Sequence, residues 1–309
     1  MKQTFIRPPF LKPGDKIGLI APASKVAFED LQPGIALMQA NWGLEVCIGT
    51  SVRAEFHDFA GSDEVRKKDF QTMLDEPNIK AIFAARGGYG SSRFVDELSF
   101  KQFEKSPKWV IGFSDITAVH GRIQNLGFQS IHGPMPRTFC KLEAADSTEF
   151  LRKLLFGESS KVELSFLLSA DYQNKLGSIK AEIVGGNLCM LAHGIGSKSE
   201  IETDGKILFL EDINEYLYNI DRMMVQLKRA GKLKKLAGLI IGHFSNSKDS
   251  TVPFGKTHHQ IIDEHVADYD FPVLHHFPSG HEDHNLAIPC GGLVELSVEK
   301  YAASLDYLG

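Results

Sequence analysis

The sequence is poor in the features that would take it out of the globular, water-soluble class. It holds only 4 cysteines in 309 residues, Cys47, Cys140, Cys189 and Cys290. They stand far apart with no paired spacing, which excludes a disulfide framework and a cysteine-based zinc site and suits reduced, buried thiols. Positive charge is not in excess: 34 Lys and Arg face 39 Asp and Glu, a formal net charge of -5. No Lys/Arg-rich run offsets this, so there is no footprint for nucleic acid or for an anionic membrane. No window is long and apolar enough to span a bilayer, and the opening residues through Arg7-Pro8-Pro9 lack the apolar stretch of a signal peptide. Internal repeats and low-complexity segments are absent. The expectation is a cytoplasmic protein with no nucleic-acid or membrane partner, and a length that suits one large or two modest domains.

What is present is a rhythm. Lys16-Ile17-Gly18-Leu19-Ile20-Ala21, Leu44-Glu45-Val46-Cys47-Ile48, Lys80-Ala81-Ile82-Phe83-Ala84-Ala85 and Lys108-Trp109-Val110-Ile111-Gly112-Phe113 read as buried strands. Between them, Ser62 is placed to cap a helix running to about Glu76, with Glu64 and Lys68 on its exposed face. A second helix over 117–126 is closed by Gly127. Strands alternating with such helices predict a mostly parallel sheet covered on both faces. The rhythm breaks in 137–180, where a short helix capped by Ser147 and ended near Gly157 leads into the polar run Ser169-Ala170-Asp171-Tyr172-Gln173-Asn174-Lys175. The domain junction is placed there: residues 1–140 form an N-terminal α/β domain, 141–180 a linker region and 181–309 a second domain. In that second part Ile207-Leu208-Phe209-Leu210 and Leu239-Ile240-Ile241 read as strands, 216–229 as a helix ending at Gly231, and 292–298 as a half-buried strand.

Four segments carry residue types that do chemistry. In Gly112-Phe113-Ser114-Asp115-Ile116-Thr117 a strand runs into a serine and a helix follows at once. A serine on such a turn presents its hydroxyl at the sheet edge, with helix-start amides to stabilise an oxyanion. The plainer reading is a helix cap, and Ile116 stands where a Gly-x-Ser-x-Gly elbow needs its second glycine. Arg86-Gly87-Gly88-Tyr89-Gly90-Ser91-Ser92 follows a strand; its glycines suit an oxyanion or substrate loop or a plain turn, and their spacing does not fit a dinucleotide fingerprint. Leu210-Glu211-Asp212-Ile213-Asn214-Glu215 ends a strand in acids, which either cap a loop or hold an imidazole. Finally, 4 of the 12 histidines fall in His275-His276-Phe277-Pro278-Ser279-Gly280-His281-Glu282-Asp283-His284. His281 and His284 are not on a His-Glu-x-x-His helix and no third ligand declares itself, so a metal is the weaker reading. His275 and His284 read as exposed loop histidines.

The order of these blocks resembles a known family. Arg86-Gly87-Gly88-Tyr89-Gly90, Gly112-Phe113-Ser114-Asp115-Ile116-Thr117, His132-Gly133-Pro134, Gly185-Gly186-Asn187-Leu188, Leu210-Glu211-Asp212, Tyr218-Asn219-Ile220-Asp221-Arg222 and Gly280-His281 with Asn285 and Pro289 are similar to the motifs of the LD-carboxypeptidase family of serine peptidases. The resemblance implies a Rossmann- or flavodoxin-like N-terminal α/β domain bearing the serine and a smaller, β-rich C-terminal domain bearing the other two members of a Ser-Glu-His triad. These land on Ser114, Glu211 and His281. It implies no cofactor, a homodimer, and release of terminal D-alanine from a muropeptide tetrapeptide. The family also includes enzymes that inactivate a peptide-nucleotide antibiotic. The amides of Asp115 and Gly88 are the candidate oxyanion donors, and Arg86 the candidate partner of the substrate carboxylate. Relatives commonly carry Ser-Pro-Ser where this chain has Ala21-Pro22-Ala23-Ser24. A non-catalytic ligand-binding module on the same sheet, with Ser114 as a cap, is the rival of another class.

Overall fold

The computed structural model describes residues 5–158, 161–165, 172 and 174–308. Five parallel strands come first: Lys16–Ile20 (β1), Glu45–Ile48 (β2), Ile79–Ala84 (β3), Trp109–Gly112 (β4) and Ser130–His132 (β5). Their spatial order is 2-1-3-4-5, the flavodoxin-like arrangement. Helices cover both faces, and successive strand residues divide between two cores. Phe83, Trp109 and Ile111 pack with Leu31, Met38 and Leu151 on one side, while Ile82 and Val110 pack with Phe70, Leu74, Val119 and Ile123 on the other. Burial on both faces is why these strands are near-continuous apolar runs.

The rest of the chain supplies Lys161–Ser165 (β6), Gly177–Asn187 (β7), Ile207–Ile213 (β8), Gly238–Ser245 (β9), Val273–Leu274 (β10), Ile288–Cys290 (β11), Leu293–Val298 (β12) and Ala302–Tyr307 (β13). Seven of these form a second, mixed sheet in the order β10-β9-β8-β7-β12-β13-β6, parallel from β10 to β7 and antiparallel beyond. Strand β11 crosses back and adds antiparallel to β5, at the edge of the first sheet. The C-terminal part also carries the helices Leu188–Gly194, Leu217–Arg229 and His258–Val266.

The helix Asp63–Asp75 has Ser62 at its N-cap, accepting from the Val65 N–H at 3.4 Å. Gly127 and Gly231 take positive φ after the helices Thr117–Asn125 and Leu217–Arg229. Four details differ from expectation, the last being the burial of the cysteines. Ser147 is no cap: a 3₁₀ turn, Leu142–Ala144, leads straight into the helix Ala145–Phe156, and Ser147 lies inside it with its hydroxyl accepting the Asn285 N–H at 2.8 Å. Strand β8 does not stop at its acids but continues to Ile213. His275 is fully buried, bonded through Nε2 to Asp263 at 2.8 Å, whereas His284 is exposed. The cysteines are free, and of the four only Cys290 is fully buried. Of the polar run proposed as the junction, residues 169–171 and 173 lie outside the described residues. No helix among the described residues is long and apolar enough to cross a membrane.

Candidate active site

The loops after β1, β3 and β4 meet at the carboxyl ends of these strands, where ligands bind in sheets of this kind. Ser114 follows β4 directly and takes φ = 64°. For a non-glycine residue this left-handed conformation costs about 1–3 kcal/mol and persists only where the surroundings enforce it. It aims the hydroxyl out of the turn, the geometry of a nucleophile elbow. The capping alternative does not hold. Phe113 is the N-cap of the 3₁₀ turn Ser114–Ile116, Ile116 is the N-cap of the following helix, and neither end has a side-chain cap bond.

The turn is held from below and from the side. His120 is fully buried, and burial pushes it down to about 4, so it is neutral. Its Nε2–H donates to the Gly112 carbonyl at 2.8 Å, which leaves Nδ1 to accept the Ser130 hydroxyl at 2.8 Å. Asp115 is buried, and its carboxylate accepts the N–H groups of Gly90 at 3.2 Å and Ser91 at 2.8 Å. Burial raises its pKa against these bonds, which lower it. The serine turn is thereby tied to the glycine loop. A Cβ on Gly87 would lie 3.1 Å from Ser114 Cβ, a tight contact, and one on Gly88, at φ = 102°, would clash with Ser24 Oγ, so the close approach of this loop requires glycine at 88. In the same loop the Tyr89 N–H donates to Ser24 Oγ at 3.3 Å and the Ser24 N–H to the Gly87 carbonyl at 3.2 Å. The Gly88 N–H between them has no such partner among the described residues. Arg86 lies beside the loop, half-buried, with Nη1 donating to the Lys25 carbonyl at 2.7 Å.

The second half of the chain brings an imidazole and a buried carboxylate together. On β8, Glu211 is fully buried and its Oε2 lies 2.6 Å from His281 Nδ1. The carboxylate accepts, so Nδ1 carries the proton and Nε2 keeps its lone pair. Burial opposes charge on His281, but the Glu211 charge and hydrogen bond outweigh it and raise the imidazole above its ordinary value. The His281 ring packs edge-on to Phe113, centroids 4.9 Å apart, which sets it beside the Ser114 turn. Between Leu210 and Asp212 the register with β9 shifts by one, so Glu211 opposes two residues, Gly242 and His243, and the extra residue lies on β9. Asp212 points the other way, accepting from Asn187 Nδ2 at 2.9 Å and from the N–H groups of Cys189 at 2.9 Å and Ile213 at 2.8 Å. Burial and the neighbouring Glu211 charge push it up to about 7.

Several residues in this frame carry no signal that residue type alone would reveal. Asn285 Oδ1 accepts the Gly280 N–H at 2.9 Å and clamps the loop before His281. Arg66, with no exposed surface, donates through Nη1 to the carbonyls of Pro22 at 2.9 Å and Gly90 at 3.0 Å. Gly186 has φ = 145°, and a Cβ there would meet Thr117 Oγ1 at 2.6 Å, while the Asn187 N–H donates to that oxygen at 3.1 Å. The Gly185-Gly186-Asn187 block therefore docks the second sheet onto the helix that starts behind Ser114. Its spacing within the sequence blocks was visible; its partner was not. No group of three His, Cys, Asp or Glu side chains among the described residues is arranged to hold a metal.

A flavodoxin-like sheet joined to a mixed second sheet, with a strained serine turn linked through Phe113 to a His–Glu pair, is the frame of a two-domain α/β protein. Residues 17–133 match the LD-carboxypeptidase N-terminal domain and residues 180–296 the LD-carboxypeptidase C-terminal domain. The chain belongs to the LD-carboxypeptidase family. It is 33% identical to a probable murein peptide carboxypeptidase of Bacillus subtilis over 97% of this chain and 94% of that protein. To the murein tetrapeptide carboxypeptidase of Pseudomonas aeruginosa it is 29% identical, covering 89% of this chain and 91% of the relative. Among solved structures, muramoyltetrapeptide carboxypeptidase from Oxalobacter formigenes superposes with a TM-score of 0.85 at 31% identity, over 95% of this chain and 99% of that one. The microcin C7 self-immunity protein MccF shares the fold, with a TM-score of 0.84 at 21% identity over 98% of this chain and 99% of that one.

Proposed function

We propose that this protein is a cytoplasmic, homodimeric LD-carboxypeptidase that removes terminal D-alanine from peptidoglycan tetrapeptides. The observation that carries the reading is the strained Ser114 turn beside an imidazole whose Nδ1–H is bonded to buried Glu211. The names of full-length relatives support the substrate class. Ser114 Oγ attacks the carbonyl carbon of the scissile amide while His281 Nε2 takes its proton. The tetrahedral oxyanion is stabilised by the amides of Asp115 and Gly88, donors of the kind worth about 10²–10³ in rate each. Collapse breaks the C–N bond, and the imidazolium returns the proton to the departing D-alanine amine. Water, deprotonated by the same His281, then hydrolyses the acyl-enzyme and frees Ser114. Arg86 pairs with the carboxylate of the departing residue. Throughout, Glu211 fixes the tautomer and stabilises the imidazolium.

Ser114→Ala tests this directly. A folded variant with turnover reduced by about 10⁶ is expected of a triad nucleophile. A purified variant that keeps a sizeable share of parental kcat removes Ser114 from the chemistry.

A further inference from the structure

His132 closes β5, is fully buried, and has no hydrogen-bond partner at either ring nitrogen among the described residues. A neutral imidazole carries one N–H and one lone pair, and buried groups of this kind nearly always find a protein or water partner. Glu211 repeats the pattern, for its Oε2 is on His281 while its buried Oε1 has no partner. One donor leaves an ionised, desolvated carboxylate under-satisfied.

Both orphans belong to the place where the two sheets meet. His132 pairs with Gly112 on one side and with Ile288 of β11 on the other. Its ring lies 5.0 Å from Phe209 and 5.8 Å from Phe113. Phe209 and Glu211 are two residues apart on β8 and so share a face. Phe113 in turn packs on His281. The same two phenylalanines thus border His132 and the Glu211–His281 pair.

We propose that His132 is a positioning residue for that pair, its neutral imidazole supplying, through one enclosed water, the donor for Glu211 Oε1. The inference rests on the reading that Glu211 orients His281 for catalysis. The ionisable groups around the region are His281 and Glu282 on the loop, His120 behind Gly112, Cys290 on β11, Asp212 on β8, turned toward Asn187, and His243 on β9, whose Nδ1 is likewise unpartnered. Burial, with the nearby His120 and His281, holds His132 well below the ordinary imidazole value, so it stays an uncharged donor. Such a donor disperses charge on Glu211. Its loss makes Glu211 the stronger acceptor for His281 Nδ1–H and raises the imidazole further.

The test is the pH profile of kcat/KM for His132→Phe, His132→Gln and His243→Phe in the full chain. His132→Phe is expected to lower kcat/KM about ten- to a hundredfold through kcat, as loss of a hydrogen bond to a charged group does, and to move the acid limb to higher pH. His132→Gln, which keeps an N–H near Nε2, restores most of the rate and returns the limb; His243→Phe leaves the limb in place. Parental behaviour of His132→Phe, or a rate loss with an unmoved limb, overturns the proposal. So does a limb that shifts in His243→Phe instead, which assigns the donor to His243. Should His132→Phe not fold, ¹⁵N-histidine spectra decide: His132 resonances must move on Glu211→Gln, and unchanged ones overturn the role. Ser114→Ala separates the two levels. If it stays active the triad reading fails, whereas a dead Ser114→Ala with parental His132→Phe fails only His132.

Discussion

At the scale of single residues, the adjacent acids of β8 do different work because a strand sends neighbours to opposite faces. Glu211 meets an imidazole; Asp212 meets three N–H donors, two of which bind β8 to β7 and to the helix after it. Glu211→Gln is therefore expected to lower kcat by up to about 10⁴ with little loss of stability. It also removes the charge that raises His281, leaving burial to lower it, so the residual acid limb of kcat/KM moves to lower pH. Above pH 7, where Asp212 is ionised, Asp212→Asn turns an all-acceptor group into one that must present a donor to backbone N–H groups, with an expected stability loss of about 1–3 kcal/mol and near-parental kcat in the folded fraction. Steady-state kinetics and urea denaturation of the two variants check both; swapped phenotypes would move the orienting role to Asp212. Residue type alone offered no ground for choosing Glu211 over Asp212, because carboxylates after an apolar run look like a strand's end. Pairing with β7 as far as Glu211 and with β9 through Ile213 shows that the strand goes on.

At the scale of elements, the catalytic loops are short and rely on side chains from elsewhere to hold their backbones. Arg66 is the clearest case. It sits on the inward face of the helix Asp63–Asp75 and joins the 21–24 loop to the 87–91 loop through two carbonyls. Methionine at this position retains the stem but leaves both carbonyls without their donor in a dry site. Arg66→Met is expected to cost about 2–4 kcal/mol in urea denaturation and to depress kcat more than KM, because the Gly88 amide loses its fixed position. Unchanged kcat in a folded variant would show that the loop holds itself. A charged residue on a helix is ordinarily read as solvent-facing, so Arg66 was not legible. The strands β1 to β4 were, since burial on both faces leaves uninterrupted apolar runs that few other elements produce. The helix at Ala145 was mis-started because a serine near a helix beginning resembles a cap, and nothing local reveals that Ser147 instead receives Asn285 from 138 residues away. His275 was misjudged for the same reason: its partner Asp263 is on another element.

At the scale of the whole molecule, the two halves share one site, and the order of short blocks along the chain conveyed that better than any block did alone. The molecule also holds buried neutral histidines in number. Burial lowers His120 and His258 to about 4 and His259 to about 2, and His132 and His243 are lowered too. Groups depressed in the folded state contribute stability above the unfolded value near 6.5 and lose it as pH falls. His281, Asp115 and Asp212 are raised and act oppositely, but are fewer. Tm should therefore fall between pH 7 and pH 5 in calorimetry, and a flat or rising Tm would contradict the balance. Substrate choice belongs to this scale as well. An exopeptidase must recognise the free terminal carboxylate, and in the proposed reading Arg86, beside the glycine loop and bonded to the Lys25 carbonyl, is the cation that does so. Inverting the terminal centre exchanges the positions of side chain and carboxylate, so the charge is left buried and unpaired, a penalty of several kcal/mol. Amidation removes the charge and strands the cation instead. The decisive set is four tetrapeptides, with D- or L-alanine at the end, free or amidated, assayed alongside a peptidyl-adenylate amide. The free D-terminal peptide should exceed each of the other tetrapeptides by about 10²-fold or more in kcat/KM, as sites built around a buried polar contact discriminate. Arg86→Met should erase most of the advantage of the free over the amidated peptide while leaving the amidated one little changed. Equal cleavage of the L-terminal or amidated peptides would end the carboxypeptidase reading even with the triad intact, and equal turnover of the adenylate amide would place this chain with the antibiotic-inactivating branch.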